Sequence, residues 1–243
     1  VVDAIWFNQG QVCCAGSRLL VQESVEKIFI RKLKARMEKL RVGNPLDKSI
    51  DIGAIVAPVQ LKKIQSIVKK GEKEGSKLWQ PSWACPTDGL FYPPSIFTNV
   101  SPSSFIAQVE IFGPVLSVLN FRTPSEAVSI ANNTPYGLAA SIWSENINLA
   151  LDIAPKIKAG VIWINSTNLF DAACGFGGYK ESGFGREGGL EGIRAYQDKT
   201  PPEAPKTAIK INKNKVVLPS IDTTPKLYVG GKQKRPDSGY SFN

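Results

Sequence analysis

Two short apolar runs, residues 137–143 (Gly-Leu-Ala-Ala-Ser-Ile-Trp) and 161–165 (Val-Ile-Trp-Ile-Asn), flank a stretch at 148–158 that reads as helix despite Pro155. This alternation constrains the fold of the 243 residues more than any other feature. An apolar run too short for a helix is satisfied as a buried strand, and strands separated by helices build a sheet covered by helices. The same alternation appears upstream. Residues 24–40 place Val25, Phe29, Leu33, Met37 and Leu40 near a helical repeat, with Ser24 as candidate N-cap. Gly43-Asn44-Pro45 breaks the chain. Leu61, Ile64 and Val68 form the apolar face of a second helix that Gly71 is expected to end. Residues 114–121 read as strand and 125–132 as a short helix. The expected fold class is α/β, a helix-flanked sheet, followed by an extended basic tail.

The tail begins after Tyr196. Residues 200–205 (Thr-Pro-Pro-Glu-Ala-Pro) have the composition of a stiff linker, 207–218 alternate polar and apolar residues, and 226–232 give a strand-and-turn pattern. The domain expectation is therefore 1–198, a linker with a β-like segment at 199–225, and the start of a further unit at 226–243.

Composition excludes several classes. The net charge of +9 invites a nucleic-acid reading, but residues 198–243 hold nine Lys/Arg against four Asp/Glu and so carry more than half of the excess. A basic linker explains this, and no nucleic-acid partner is expected. No apolar run is long enough to cross a bilayer, so no membrane partner is expected. The four cysteines, at 13, 14, 85 and 174, form no CxxC pair, and histidine is absent, so neither a metal site nor a disulfide framework is indicated. Free thiols fit a reducing compartment. Because the chain opens on Val1 inside what reads as a structured element, its true N-terminus is expected to lie elsewhere.

Three peptides carry candidate chemistry. Residues 8–18 (Asn-Gln-Gly-Gln-Val-Cys-Cys-Ala-Gly-Ser-Arg) follow the apolar Ile5-Trp6-Phe7. Adjacent cysteines alone are ordinarily buried small hydrophobes. Nothing in core packing, however, calls for Asn8, Gln9, Gly10, Gln11, Ala15 and Gly16 around them. Glycines let the backbone approach a ligand and aim N–H groups at a developing negative charge. With no histidine, a nucleophilic Cys13 or Cys14 needs another group as its base. The second peptide is Glu110-Ile111-Phe112-Gly113-Pro114-Val115; by itself it reads as a solvated acid and a core ring before a strand. The third, residues 174–189, contains a literal GxGxxG from Gly183 to Gly188. Lys180-Glu181-Ser182 stands where a strand would have to precede a dinucleotide loop, so we read the match as a glycine-rich wall of a site.

In this order and spacing the three peptides resemble the aldehyde dehydrogenase superfamily over about residues 1–198. Residues 133–139 and 162–165 match further stretches of it. The tail at 226–232 and 237–242 is similar to the start of another such unit, which points to the two-domain family-16 aldehyde dehydrogenases. The resemblance implies a catalytic domain that oxidises aldehydes to carboxylic acids with NAD (or NADP) through a cysteine thiohemiacetal and thioester. By register it assigns the nucleophile to Cys13, cofactor contacts to Glu110 and Phe112, and a substrate-lining role to Phe7, Phe170 and Phe176. It places the cofactor domain, an oxyanion-holding asparagine and a glutamate base upstream of Val1, so the 243 residues alone are expected to be inactive and to associate through exposed apolar surface. A small-molecule aldehyde, a homo-oligomer and a cytoplasmic location follow from the same analogy. One departure is that Gly175 stands where the family usually has proline before Phe-Gly-Gly-Tyr-Lys. The rival expectation is a catalytically weak scaffold that keeps the fold for protein–protein contact.

Overall fold

The computed structural model describes residues 1–197 and two short strands, 227–229 and 232–234. These belong to two compact units, Val1–Gln197 and Asp198–Asn243. In the first unit the elements run α1 (Val2–Ile5), β1 (Arg18–Gln22), α2 (Glu26–Met37), α3 (Pro58–Lys73), β2 (Lys77–Trp79), β3 (Ser95–Thr98), α4 (Phe105–Gln108), β4 (Val115–Phe121), α5 (Pro124–Asn132), β5 (Ala139–Ile142), α6 (Ile147–Ile153), β6 (Val161–Ile164) and α7 (Gly189–Ala195).

The main sheet has the order β1-β4-β3-β2. β1 and β3 lie parallel to β4, and only the edge strand β2 runs antiparallel. β4 is the centre, buried from Val115 to Leu119. Successive strand residues face opposite ways. Accordingly Val115 and Leu119 join one core with Ile64, Val68, Phe97 and Ile106, while Leu116 and Val118 join a second with Ile5, Trp6, Leu33 and Met37. Burial on both faces is why 114–121 reads as an unbroken apolar strand. Ser117 interrupts it at no cost, since its hydroxyl donates to the Ile106 carbonyl at 3.0 Å.

Several local expectations shift. Helix α2 starts at Glu26 behind Val25, with no side-chain cap, so Ser24 does not cap it. Helix α3 runs through Gly71 to Lys73. Gly71 is there for packing: a Cβ would lie 2.6 Å from Ile106 Cγ2 and 3.3 Å from the Phe97 ring. The runs at 137–143 and 161–165 do form β5 and β6, a parallel pair joined by α6 and a 3₁₀ turn at Ala154–Lys156. They are not the buried strands their composition indicates. Within β5 and β6 only Trp163 is buried, the other residues being half-buried or exposed.

In the second unit, β7 (Leu227–Val229) pairs antiparallel with β8 (Lys232–Lys234). The expected linker, the alternating segment 207–218 and the basic tail otherwise lie outside the described residues. No helix among the described residues is long and apolar enough to cross a membrane.

Candidate active site

After α1 the chain turns through three consecutive left-handed residues, Asn8, Gln9 and Gly10, at φ 48°, 60° and 70°. Such a conformation costs a non-glycine residue roughly 1–2 kcal/mol, so something must hold it. The amides do. The Gly53 N–H donates to Gln9 Oε1 at 3.1 Å, and Gln9 Nε2 donates to the Ala54 carbonyl at 3.2 Å. The Val56 N–H donates to Gln11 Oε1 at 3.0 Å, and Asn8 Nδ2 donates to the Gln11 carbonyl at 3.0 Å. The amide-rich composition around the cysteines thus fastens their peptide to the loop before α3. Gly10 lets this peptide meet the second one, because a Cβ there would lie 2.2 Å from the Gly113 carbonyl oxygen. The Trp6 indole donates to the Pro114 carbonyl at 3.1 Å, in the buried interior beside it.

The two cysteines are separated by environment. The Cys13 side is exposed, and among the described residues its backbone N–H donates no hydrogen bond. Cys14 is buried, and its thiol donates to Asn168 Oδ1 at 3.3 Å. Burial, with the neighbouring Cys13 thiol adding to it, pushes the Cys14 pKa from 9.0 up to about 11. The thiolate is the nucleophile, so Cys14 is inert at neutral pH. Iodoacetamide mass mapping at pH 8 is expected to label Cys13 and leave Cys14 unlabelled, with Cys14 labelling rising only as pH approaches 11. The sign for stability follows. The folded state holds the Cys14 proton more tightly than the unfolded state does, so this contribution is complete below pH 9 and is lost as pH rises towards 11.

Glu110 and Phe112 sit on the turn between α4 and β4. Glu110 is exposed, and among the described residues its carboxylate accepts no hydrogen bond and pairs with no cation. Phe112 is half-buried at φ 55°. Gln60, in the first turn of α3, holds the turn by donating from Nε2 to the Ile111 and Phe112 carbonyls, each at 3.0 Å. Nothing in the sequence marks Gln60, since its partners are main-chain atoms far along the chain.

The aromatic candidates divide. Phe170 stacks edge-on against Trp163 with centroids 5.6 Å apart and against Phe176 at 5.0 Å. Trp163 also donates its indole N–H to the Leu169 carbonyl at 2.8 Å, and Asn168 holds Cys14, so the 166–170 loop bridges β6 and the cysteine peptide. Phe7 is exposed and makes no ring–ring contact with this group among the described residues.

Comparison with known proteins gives the family. The aldehyde dehydrogenase family matches residues 1–200. The chain belongs to that family. The mitochondrial aldehyde dehydrogenase of Mesocricetus auratus is 44% identical over 195 residues, covering 80% of this chain and 39% of the relative. The human mitochondrial aldehyde dehydrogenase is 42% identical, with 80% and 38% covered. An NAD-dependent aldehyde dehydrogenase from Sinorhizobium meliloti superposes with a TM-score of 0.78 at 41% identity, over 80% of this chain and 39% of that one. The betaine aldehyde dehydrogenase of Staphylococcus aureus, crystallised with NAD⁺, gives 0.77 at 39% identity, over 80% and 40%. The chain spans about two-fifths of the length of the curated relatives it matches.

In this member of the aldehyde dehydrogenase family, the glycine-rich peptide is a set of backbone crossings. A Cβ on Gly160 would lie 1.7 Å from the Gly177 carbonyl oxygen, and one on Gly177 would lie 2.0 Å from that of Gly185. Phe176 and Glu187 exchange N–H···O bonds of 2.7 Å. Arg186 donates from Nη1 to the carbonyls of Gly178, Phe184 and Gly185, at 2.8 to 3.1 Å, and lies over the Tyr179 ring. A 3₁₀ turn, Lys180–Ser182, stands before the GxGxxG, where a dinucleotide loop needs a strand. Among the described residues, Gly160 and Gly177 bring backbone segments into close approach beside Phe176.

Proposed function

We propose that the full-length protein carrying this segment oxidises aldehydes to carboxylic acids with NAD⁺ (or NADP⁺), using Cys13 as the nucleophile. The observation that supports this most directly is the split between the thiols. Cys13 is the exposed one, on a braced peptide whose Cys13 N–H donates no hydrogen bond among the described residues, while Cys14 is buried and protonated. The residues on the second peptide fit NAD. The Glu110 carboxylate is exposed, with no partner among the described residues, and can accept from ribose hydroxyls; the Phe112 ring lies on the turn held by Gln60. NAD supplies, when bound, a two-electron acceptor for the hydride on the former aldehyde carbon.

Cys13 carries the covalent steps. Cys13 Sγ forms a bond to the carbonyl carbon, and the π electron pair moves onto oxygen, where the Cys13 N–H can donate to it. After oxidation Cys13 holds the acyl group as a thioester. Water then cleaves the C–S bond and frees the thiolate, a step that needs a general base. The resemblance gives that base to a glutamate outside these residues. Phe170 and Phe176 form an apolar surface suited to the aldehyde's carbon chain, and we place Phe7 with them at the substrate.

A homo-oligomer, a cytoplasmic location and a family-16 two-unit chain belong to the same proposal. The matched relatives include proteins named mitochondrial and one named cytosolic. The test is NADH formation by the full-length protein across a panel of aliphatic, aromatic and amino aldehydes. Turnover on any of them supports the proposal. A folded, NAD-binding protein silent across the panel would refute it in favour of the scaffold.

A further inference from the structure

The end of α5 is where the pieces of the candidate site are tied together. The last carbonyls of a helix have no partner within it, and the negative end of the helix dipole favours cations there. Three side chains from three different parts of the chain donate to carbonyls of the last turn of α5 and of the two residues beyond it. Arg18, at the start of β1 just after the cysteine peptide, donates from Nη2 to the Ile130 carbonyl at 2.9 Å. Gln108, two residues before Glu110, donates to the Asn133 carbonyl at 3.0 Å. Lys180, in the glycine-rich peptide, donates from Nζ to the Asn132 and Thr134 carbonyls at 3.0 and 2.9 Å. Lys180 is also strained, with φ at 55°, and among the described residues it pairs with no carboxylate. A non-glycine residue in that region persists only where its surroundings over-determine it.

The main chain beside Lys180 is anchored separately. The Tyr179 N–H donates to the Gly137 carbonyl at 2.9 Å, and the Glu181 N–H donates to the Pro135 carbonyl at 3.0 Å. The main chain on either side is held by these bonds, and the ammonium adds a separate tie at the strained residue itself. Four residues earlier is Phe176, the ring that meets Phe170.

We propose that Lys180 is a positioning residue: its ammonium ties the glycine-rich peptide to the end of α5 and so sets where Phe176 stands relative to the cysteine peptide. Only the kinetic arm of its test rests on the aldehyde-oxidation reading.

The test compares full-length wild type, Lys180→Met and Lys180→Arg. Met keeps the stem and removes the donors, whereas Arg keeps the charge and can reach two carbonyls. Lys180→Met is expected to raise KM for an aromatic aldehyde about tenfold with kcat changed by less than about threefold, and Lys180→Arg to restore most of the loss. Independently of turnover, amide hydrogen exchange across 175–189 should rise in Lys180→Met while β4 stays protected, and the rate of iodoacetamide alkylation at Cys13 should be unchanged. Wild-type KM together with wild-type exchange across 175–189 would overturn the proposal. So would exchange rising equally in β4, which would make Lys180 a general stabiliser. If the wild type oxidises no aldehyde, the reaction reading falls, and the exchange and alkylation results still decide the role of Lys180.

Discussion

Cys13→Ala is expected to lower aldehyde turnover by about 10⁴-fold or more, while Cys14→Ala keeps it within about tenfold of wild type. The asymmetry follows from the environments of the two sulfurs. Removing Cys13 removes the only atom proposed to bond the substrate, and the free N–H beside it then has no tetrahedral oxyanion to serve. Removing Cys14 deletes a buried thiol whose hydrogen bond to Asn168, 3.3 Å, steadies the 166–170 loop. Loss of one such bond is worth about 1 kcal/mol, which sets the size of the smaller effect. The measurement is steady-state NADH formation by the two variants of the full-length protein, with mass mapping of an acyl adduct after a short reaction. An adduct on Cys14 in the wild type, or full turnover by Cys13→Ala, would reverse the assignment.

The second large effect is on stability, and glycines at graded positions show its cause. Gly10→Ala is expected to destabilise the protein by about 3 kcal/mol or more, from two additive sources. The residue sits at φ 70°, and its new Cβ would lie 2.2 Å from the main-chain oxygen of Gly113, which has no flexible side chain to give way. Left-handed strain contributes roughly 1–2 kcal/mol and forced overpacking about 1–3 kcal/mol. Gly183→Ala meets only the first, with φ at 89° and nothing within 4 Å. Its expected cost is about 1 kcal/mol. Gly185→Ala meets neither, since its Cβ would enter open space and its φ is unremarkable, so it should be neutral within about 0.5 kcal/mol. Urea denaturation of the three variants tests the order. A Gly10→Ala midpoint equal to that of Gly185→Ala would show that the cysteine peptide and the 110–115 turn are not pressed together as described. Because that contact joins the nucleophile's peptide to the proposed cofactor peptide, Gly10→Ala should also slow alkylation of Cys13 or make it heterogeneous.

Parts of this protein governed by near neighbours were legible in the order of residues. Helical spacing of Leu33 and Met37 and of Ile64 and Val68 located α2 and α3, and the unbroken apolar run 115–119 located the central strand, because both periods are set by the local backbone. The clustering of amides and glycines around two thiols marked the candidate site, and the resemblance chose between the thiols by register. The short strands β1, β2 and β3 escaped, since three to five residues of mixed burial carry too little pattern. The remaining features depend on residues distant in the chain. Cys14 is buried and donates to a residue 154 positions away, Gln11 is held from 45 positions away, and Gln60 holds carbonyls more than 50 positions on. Gly71 reads in sequence as a stop, yet it and Gly160 are each a place where another part of the chain comes too close for a Cβ. Exposure of a thiol, satisfaction of a carbonyl and the space for a methyl group are properties of the surroundings in three dimensions, and no local period records them.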